Sequence, residues 1–285
     1  MQNFKQLIVK AIWTVFISTS LFTLRFVELH AATGADFQVG TGLMKFDYVE
    51  YDNNNVFLDA ERGFIPGVIV KLNRDNGKSY SKWVNSLYYN KITYDGQTQS
   101  GTPLMSVSDA LIIDSHYMSG RSFGTSYGRK PSVYIGLGYR YWFRNILPGY
   151  DNSGNPVAGI LEEYSWFYGS LGYTVQFKAS TTTQWSFDFR LTHMFNGKMD
   201  INFLGFKNYD NTSVNLGNKL GARLAMPIKI NTSGDSFFVT PYYEIIDIGK
   251  SNAVRVYSGG AATTSVIYEP RSETRNFGIE LLWNW

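Results

Sequence analysis

The feature of this sequence that most limits its fold is a long alternation of apolar residues with small or charged ones. From residue 132 to residue 145, every second side chain is large and apolar, and the positions between include glycines and two arginines. Successive side chains of a β-strand point to opposite faces, so this pattern predicts a strand with one continuous apolar face. That face holds Val133, Ile135, Leu137, Tyr139, Tyr141 and Phe143, and the opposite face holds Tyr134, Gly136, Gly138, Arg140, Trp142 and Arg144.

The length of the alternating segments separates a water-soluble sheet from a membrane-spanning one. Segments 218–230 and 272–285 alternate in the same way, and all three exceed the roughly 5–6 residues of a typical soluble strand. Transmembrane strands need about 9–11 residues and carry aromatic side chains at both water interfaces. After residue 32 no apolar run approaches the about 20 residues of a membrane helix. The pattern therefore favours strands that cross lipid.

The connections between the alternating segments fall into two classes. Short, turn-like connections at 73–78, 124–131, 179–183 and 231–235 alternate with longer loops near 51–60, 96–108, 146–159, 197–212 and 252–271. This alternation predicts an all-β, antiparallel, up-and-down transmembrane β-barrel of about ten strands, with eight or twelve as alternatives. Short turns would face the periplasm and long loops the outside. The predicted strands are 36–50, 61–73, 80–95, 109–123, 132–145, 160–178, 183–196, 213–231, 236–251 and 272–285.

The N-terminal segment predicts export. Lys5 and Lys10 precede an uncharged stretch at 11–24, and small residues follow at 31–32, as in a secretory signal peptide. We therefore expect a signal peptide at 1–31 and a single barrel domain at 32–285. The chain has no Cys, and its 26 Lys+Arg against 23 Asp+Glu give a net charge of +3, which does not suit a nucleic-acid partner.

The C-terminal strand carries the most recognisable pattern. With its alternating apolar residues and terminal aromatic residue, it resembles the closing strand of Gram-negative outer-membrane β-barrel proteins. This resemblance implies an outer-membrane location, contact with membrane lipid and lipopolysaccharide, and recognition by the barrel-assembly machinery. The residues that form the assembly signal are Phe277, Ile279, Leu281, Trp283 and Trp285.

The strand faces opposite the apolar ones collect charges of both signs. A barrel of about ten strands has a narrow interior that side chains largely fill, so we expect a network of paired charges that seals and stiffens the barrel. A small polar channel or an internal ligand site is the alternative. The predicted network consists of Lys45, Asp47, Arg140, Arg144, Glu162, Asp188, Arg190, Lys219, Arg223, Glu244 and Glu280.

Catalytic and metal sites find little support. Among ten-stranded barrels, resemblance to the omptin proteases would imply an Asp pair and an Asp–His pair. Asp114 and His116 share one strand face, but no Asp-x-Asp partner is present, and Asp188 and His193 would point to opposite faces. Separated histidines give no zinc spacing, so no cofactor or metal is expected and the chain is interpreted as non-enzymatic.

The outer loops are the remaining surface of interest. Segments 52–62, 95–109 and 254–273 mix apolar with polar residues, which indicates either hairpins that extend above the membrane or surfaces that bind an extracellular ligand. The first hypothesis is a surface barrel whose loops contact a host, neighbour or ligand. A narrow diffusion channel is the second hypothesis, and an omptin-like protease is the third.

Overall fold

The computed structural model describes residues 35–97, 101–124, 129–178, 180–233 and 235–284. The predicted signal peptide at 1–31 and Trp285 lie outside these residues. No helix in the described part is long and apolar enough to cross a membrane. In chain order the strands are β1 (Asp36–Tyr51), β2 (Phe57–Asp75), β3 (Ser79–Gln97), β4 (Pro103–Ser122), β5 (Arg129–Ile146), β6 (Gly149–Asp151), β7 (Pro156–Val157), β8 (Ile160–Lys178), β9 (Thr183–Asn202), β10 (Thr212–Asn215), β11 (Leu220–Ala225), β12 (Ile228–Asn231), β13 (Ser236–Ile248), β14 (Val254–Ser258), β15 (Ala261–Ile267) and β16 (Arg271–Asn284).

The long strands form a closed antiparallel barrel of ten strands, which confirms the predicted fold. Going around the barrel, the order is β1, β2, β3, β4, β5, β8, β9, then β10, β11 and β12 as one interrupted strand, β13 and β16. The first and last strands pair with each other, with Gly40 opposite Leu282 and Leu43 opposite Ile279. Closure leaves no free sheet edge, which is the condition for a sheet to cross lipid.

One predicted strand is interrupted but lies where it was predicted. The segment 213–231 was expected to be continuous, and β10 (Thr212–Asn215), β11 and β12 pair in turn with β9 in one antiparallel register, from Thr212 opposite Ile201 to Ile230 opposite Thr183. Between β10 and β11 the Leu216 N–H donates to the Gly197 carbonyl at 2.8 Å, so the pairing with β9 continues there. The same strand is interrupted between β11 and β12, where Pro227 has no N–H to donate. There the Met226 N–H donates to the Pro241 carbonyl at 2.9 Å, so pairing continues across the break. Several other strands are longer than predicted, because residues 57–60 and 103–108 extend hairpins that were assigned to loops.

The two faces of the barrel wall differ as the alternation predicts. On β5, Val133, Ile135 and Leu137 are 39%, 68% and 55% exposed, whereas Tyr134 and Trp142 are each 3% exposed. The apolar side chains therefore point outward, and the aromatic and charged ones fill the interior.

A bulge in β9 changes which residues point inward. Ser165 and Phe167 of β8 pair with Lys198 and Phe195, so two residues of β9 lie opposite one residue of β8. Asn196, within the bulge, has a φ of 52°, a left-handed conformation that Asn adopts more readily than most residues. One extra residue reverses the phase of a strand.

The two ends of the barrel differ in size. One end, called the turn end, carries the short connections. The other, called the loop end, carries three additions: the β6–β7 hairpin, a segment with a short 3₁₀ turn at Phe206–Asn208 that leads into β10, and the β14–β15 hairpin. The β14–β15 hairpin (254–267) is called the cap hairpin. Its Val256 is 2% exposed and belongs to the same buried apolar cluster as Tyr48 and Trp142.

Candidate functional site

Ion pairs cross the barrel interior at mid-height. Asp114 of β4 lies opposite Arg140 of β5 in the strand register, and Arg140 Nε donates to Asp114 Oδ2 at 2.8 Å. The other end of the Arg140 guanidinium crosses the barrel to Glu244 of β13, with N–O distances of 3.1–3.3 Å. Arg190 Nη2 donates to the same carboxylate at 3.3 Å. These contacts tie β4, β5, β9 and β13 together through the interior.

A histidine and two hydroxyl groups complete this mid-barrel network. His116 is 1% exposed, and Arg190 Nη1 donates to its Nδ1 at 2.8 Å. A guanidinium can only donate, so Nδ1 must accept and the ring proton lies on Nε2. That proton points to Ser170 Oγ at 2.8 Å, and the Tyr168 hydroxyl donates to Asp114 at 2.9 Å. His116 is therefore a neutral, fully bonded interior residue.

A second group of ion pairs lies on neighbouring strands. Glu280 of β16 accepts from Arg223 Nη2 and from Lys71 Nζ, each at 2.6 Å. Asp188 accepts from the Tyr134 hydroxyl at 3.1 Å. Between Arg140, Arg190 and Glu244 lies a cavity of about 20 Å³, which is room for a single water molecule. The space between these three side chains is therefore too small for a solute larger than water.

The loop end holds a different cluster, centred on Arg144. This guanidinium is 2% exposed and contacts four carboxylates from three strands. Residues 50, 59 and 61 come from β1 and β2, and residue 162 comes from β8. The N–O distances are 2.9 Å to Glu50, 3.5 Å to Asp59, 2.8 Å to Glu61 and 2.7 Å to Glu162.

Aromatic rings form the walls around Arg144. Its guanidinium carbon lies 5.0 Å from the ring centre of Tyr48, 5.8 Å from that of Trp142 and 5.9 Å from that of Tyr94. Trp142 stacks on Tyr164 with ring centres 4.7 Å apart. A guanidinium is attracted to aromatic faces, so rings and carboxylates together hold one buried cation.

A fifth carboxyl group reaches this cluster from the segment after the cap hairpin. Glu269 is 2% exposed, and its Oε1 lies 2.8 Å from the Tyr48 hydroxyl, which also lies 2.8 Å from Glu50 Oε1. Burial, followed by repulsion from Glu50 and Glu162, holds the pKa of Glu269 well above its ordinary value. The five carboxyl groups and Arg144 are called the carboxyl cluster. Buried charges need compensation, and one guanidinium cannot balance five carboxylates, so some of these groups hold protons.

The structure places eight of the predicted network residues inside the barrel. They fall into two groups: Arg144 and Glu162 belong to the carboxyl cluster, and the others lie at mid-barrel or nearer the turn end. The inward-facing residues are Arg140, Arg144, Glu162, Asp188, Arg190, Arg223, Glu244 and Glu280.

Three predicted network residues do not lie inside. Lys45 and Asp47 are on the outer face of β1, where Asp47 pairs with Arg62 at 3.0 Å. This corrects the sequence interpretation, and the physical reason is a change of solvent along the strand. Nearer the turn end the outer face of β1 meets lipid, whereas nearer the loop end it meets water and carries the charges. Lys219 is also corrected: it is exposed, just before β11 begins.

The sequence analysis missed four residues of the carboxyl cluster. Glu50 shares the inward phase of Tyr48 on β1, so a correct choice of face would have found it. Asp59 was assigned to a loop and Glu61 to the first position of a predicted strand, but both lie within β2, which begins at Phe57. Glu269 meets Tyr48 across 221 residues of sequence, and no local pattern signals that contact.

The aspartates and histidines that suggested a protease do not form Asp–His pairs in the described structure. Asp114 pairs with Arg140, whereas His116 contacts Ser170 and Arg190 instead of a carboxylate. Asp188 points inward and His193 is exposed, as expected for residues on opposite faces. Among the residues described, no group of three or more His, Asp or Glu side chains is arranged to hold a metal ion.

The fold identifies the structural class of this protein. A closed ten-stranded antiparallel barrel with an apolar outer face is the architecture of Gram-negative outer-membrane β-barrels. Among solved structures, the chain is similar to the outer-membrane protease OmpT from Escherichia coli, with 10% sequence identity and a TM-score of 0.63 over 88% of this chain and 95% of that chain. This likeness shows the fold alone, and the fold supports an outer-membrane location.

Weaker likenesses connect the chain to other barrels. The outer-membrane protein OprG from Pseudomonas aeruginosa is 8% identical, with a TM-score of 0.39 over 89% of this chain and 96% of that chain. The translocator domain of the autotransporter NalP from Neisseria meningitidis is 7% identical, with a TM-score of 0.42 over 95% and 98%. No protein-family model matches the sequence, and no curated protein matches it.

Proposed function

We propose that this chain is a sealed, non-enzymatic outer-membrane barrel that works through its loop end. The observation that carries the proposal is the ion-pair network across the interior, in which Arg140 spans from Asp114 on one wall to Glu244 on the other. A side chain bonded at both ends occupies the path that a solute would need. The function then lies with the surfaces outside the membrane, where loops carry binding sites in many folds.

Conductance in planar bilayers tests the seal. We expect purified wild-type protein to insert without giving conductance steps. The double variant Arg140→Ala, Glu244→Ala removes the cross-barrel contact and gives small steps. The matched control is Arg62→Ala, Asp47→Ala, which removes an ion pair on the outer face. Regular steps from the wild type that the interior variant enlarges and the control leaves unchanged would favour the diffusion channel.

The orientation is part of the proposal. We place the turn end in the periplasm and the loop end outside the cell, as the unequal connections favour. An epitope tag at position 262, in the cap hairpin, should be reached by antibody on intact cells, whereas a tag at position 76 should not. Detection of the tag at 76 on intact cells would reverse the orientation.

The proposed partners follow from the outer surfaces. The exposed apolar side chains of β5 and β16 would contact membrane lipid and, in the outer leaflet, lipopolysaccharide. The exposed face of β16 carries Phe277, Ile279, Leu281 and Trp283, which with Trp285 would present the assembly signal to the barrel-assembly machinery. The loops would meet an extracellular ligand or a neighbouring molecule.

The protease alternative is supported by the likeness in fold to OmpT. Incubation of folded protein with a mixed peptide library, read by mass spectrometry, tests it. We expect no cleavage by the wild type beyond that seen with heat-unfolded protein. Cleavage that is lost in Asp114→Asn and kept in the outer-face variant Asp47→Asn would overturn the non-enzymatic proposal.

A further inference from the structure

The cap hairpin is fastened to the barrel through Glu269, in the short segment between β15 and β16. Its backbone N–H donates to Ser251 Oγ at 2.8 Å, and the Ser251 N–H donates to the Glu269 carbonyl oxygen at 3.0 Å. Ser251 lies just before β14, so these bonds close the base of the hairpin. The Glu269 side chain then reaches Tyr48 in the barrel wall. One residue therefore links both ends of the hairpin to the barrel.

The contacts of the Tyr48 hydroxyl require a proton on a carboxyl group. This oxygen lies 2.8 Å from both Glu50 Oε1 and Glu269 Oε1. A phenol carries one hydrogen and can donate it to one carboxylate, so the second contact needs a proton from the carboxyl side. Glu50 accepts from Arg144 Nη1 at 2.9 Å, whereas no described cation lies within ion-pair distance of Glu269. The carboxyl proton therefore lies on Glu269, which donates it to the Tyr48 hydroxyl oxygen.

The cap hairpin covers the buried apolar cluster that surrounds these groups. Val256, at 2% exposure, packs into that cluster together with Tyr48, Trp142 and Tyr164. Val254 and Ile267, from the two strands of the hairpin, pack against the same cluster. Lifting the hairpin would open the carboxyl cluster to water.

We propose that Glu269 is a pH-sensitive pin, which holds the cap hairpin closed over the carboxyl cluster when it is protonated and releases it when it is ionised. The cap hairpin then has two states, packed on the barrel or released from it, as conformational switches require. Ionisation places a new negative charge against Glu50 and Glu162 without a cation to balance it. It also removes the proton that the contact with Tyr48 uses.

The groups that face Glu269 come from four strands, and Arg144 is the one cation among them. The nearby cations Lys250 and Arg271 instead lie over the rings of Tyr268 and Tyr51. The facing groups are Tyr48 and Glu50 of β1, Arg144 of β5, Glu162 and Tyr164 of β8, and, across Arg144, Asp59 and Glu61 of β2.

The direction of the effect follows from the raised pKa of Glu269. A carboxyl group whose pKa is higher in the closed state than in the open one favours closure at low pH. The stabilisation of the closed hairpin is fully present below the pKa that Glu269 has in the open state. It is lost as the pH rises through the pKa that Glu269 has in the closed state. The hairpin should thus be closed in acid and should open towards neutral and alkaline pH.

Cysteine labelling measures this opening directly, because the chain has no native Cys. Val256→Cys places a thiol in the buried contact, and Tyr257→Cys places one at a 45% exposed neighbour. The ratio of their labelling rates in folded protein cancels the intrinsic pH dependence of thiol chemistry. We expect this ratio to rise by at least about tenfold between acid and mildly alkaline pH, with a slope of at most about tenfold per pH unit, the limit for one titrating proton.

Two carboxamide variants identify the titrating group. Glu269→Gln keeps the shape but cannot ionise, so Val256→Cys should stay protected at every pH. Glu273→Gln is the control, because Glu273 is on the outer face and pairs with Arg275 at 2.6 Å; it should retain the wild-type pH response. Heat-modifiable migration on gels confirms that each variant is folded. A ratio that is constant with pH in the wild type, or that still rises in Glu269→Gln, would overturn the proposal.

Discussion

Two arginines of β5, Arg140 and Arg144, point into the same barrel and are held in opposite ways. Arg140 belongs to a network in which cations and carboxylates nearly balance, since Arg190 shares Glu244, and Arg223 and Lys71 share Glu280. Arg144 is instead surrounded by an excess of carboxyl groups. Four residues of one strand thus separate a balanced network from an acidic one.

This difference shows that one barrel can hold buried charges in two ways. A balanced network holds its charges by mutual attraction and needs no proton, so it can brace the barrel at any ordinary pH. An acidic cluster with one cation depends on how many of its members are protonated. We infer that the middle of the barrel is built for rigidity and the loop end for response to its surroundings.

The largest expected effect comes from removing the sole cation of the carboxyl cluster. Arg144→Met leaves four carboxylates without their buried counter-charge, and breaking a buried pair in this way costs about 3–5 kcal/mol. We expect a loss at the upper end of this range at neutral pH, and a smaller loss in acid as the carboxylates become protonated. Urea unfolding in lipid vesicles at both pH values measures it. A loss below about 1 kcal/mol at neutral pH would show that the cluster does not depend on Arg144.

The balanced network should be less sensitive. Arg140→Ala leaves Asp114 without its ion pair, but Glu244 keeps Arg190. We therefore expect a loss of about 3 kcal/mol, at the low end of the range for a broken buried pair, and little change of that loss with pH. The exposed Arg121 of β4 provides the control variant, Arg121→Ala. A loss for Arg140→Ala that shrinks in acid as much as that for Arg144→Met would remove the distinction between the two regions.

The outer face of the same strand gives the next effect. Leu137 is 55% exposed on the lipid-facing side, so Leu137→Arg places a charge in hydrocarbon and should cost about 2–4 kcal/mol near the midplane. Leu137→Ala is the control for lost side-chain area. The same vesicle unfolding assay applies. An Arg variant as stable as the Ala variant would mean that this face does not meet lipid.

The fold was predictable because lipid imposes a simple rule on sequence. Any strand inside the membrane must show apolar residues outward, which gave β5 and β16 their long alternation and allowed ten strands to be counted. The strand 213–231 was located correctly, but its inward face was not followed correctly through its first part. Val214 and Leu216 pack inward near the loop end, whereas the inward face further along holds Arg223. The inward phase therefore changes before β11, and the phase of Arg223 placed Lys219 inside when it was carried back through this change.

The candidate site was predictable only within the membrane. On β1, apolar residues face outward at Leu43 but inward at Met44 and Phe46, because water replaces lipid outside the wall. The apolar face therefore changes sides along β1, and the assumption that charged residues lie on the inward face placed Lys45 and Asp47 inside. Glu269 depends on a contact between distant segments, which forms only once the barrel has closed.

The smallest expected effect lies on the outer surface and provides the lower limit of the comparison. Arg62 and Asp47 approach as closely, at 3.0 Å, as many interior pairs do, but their side chains are 51% and 34% exposed. Water and salt screen such pairs, which are worth about 0–1 kcal/mol. A double-mutant cycle of Arg62→Ala and Asp47→Ala should therefore give a coupling below about 1 kcal/mol that falls with added salt, whereas the cycle of Arg140→Ala and Asp114→Ala should give a larger, salt-insensitive coupling. Equal couplings in the two cycles would mean that water reaches the mid-barrel network, and that finding would count against the sealed interior.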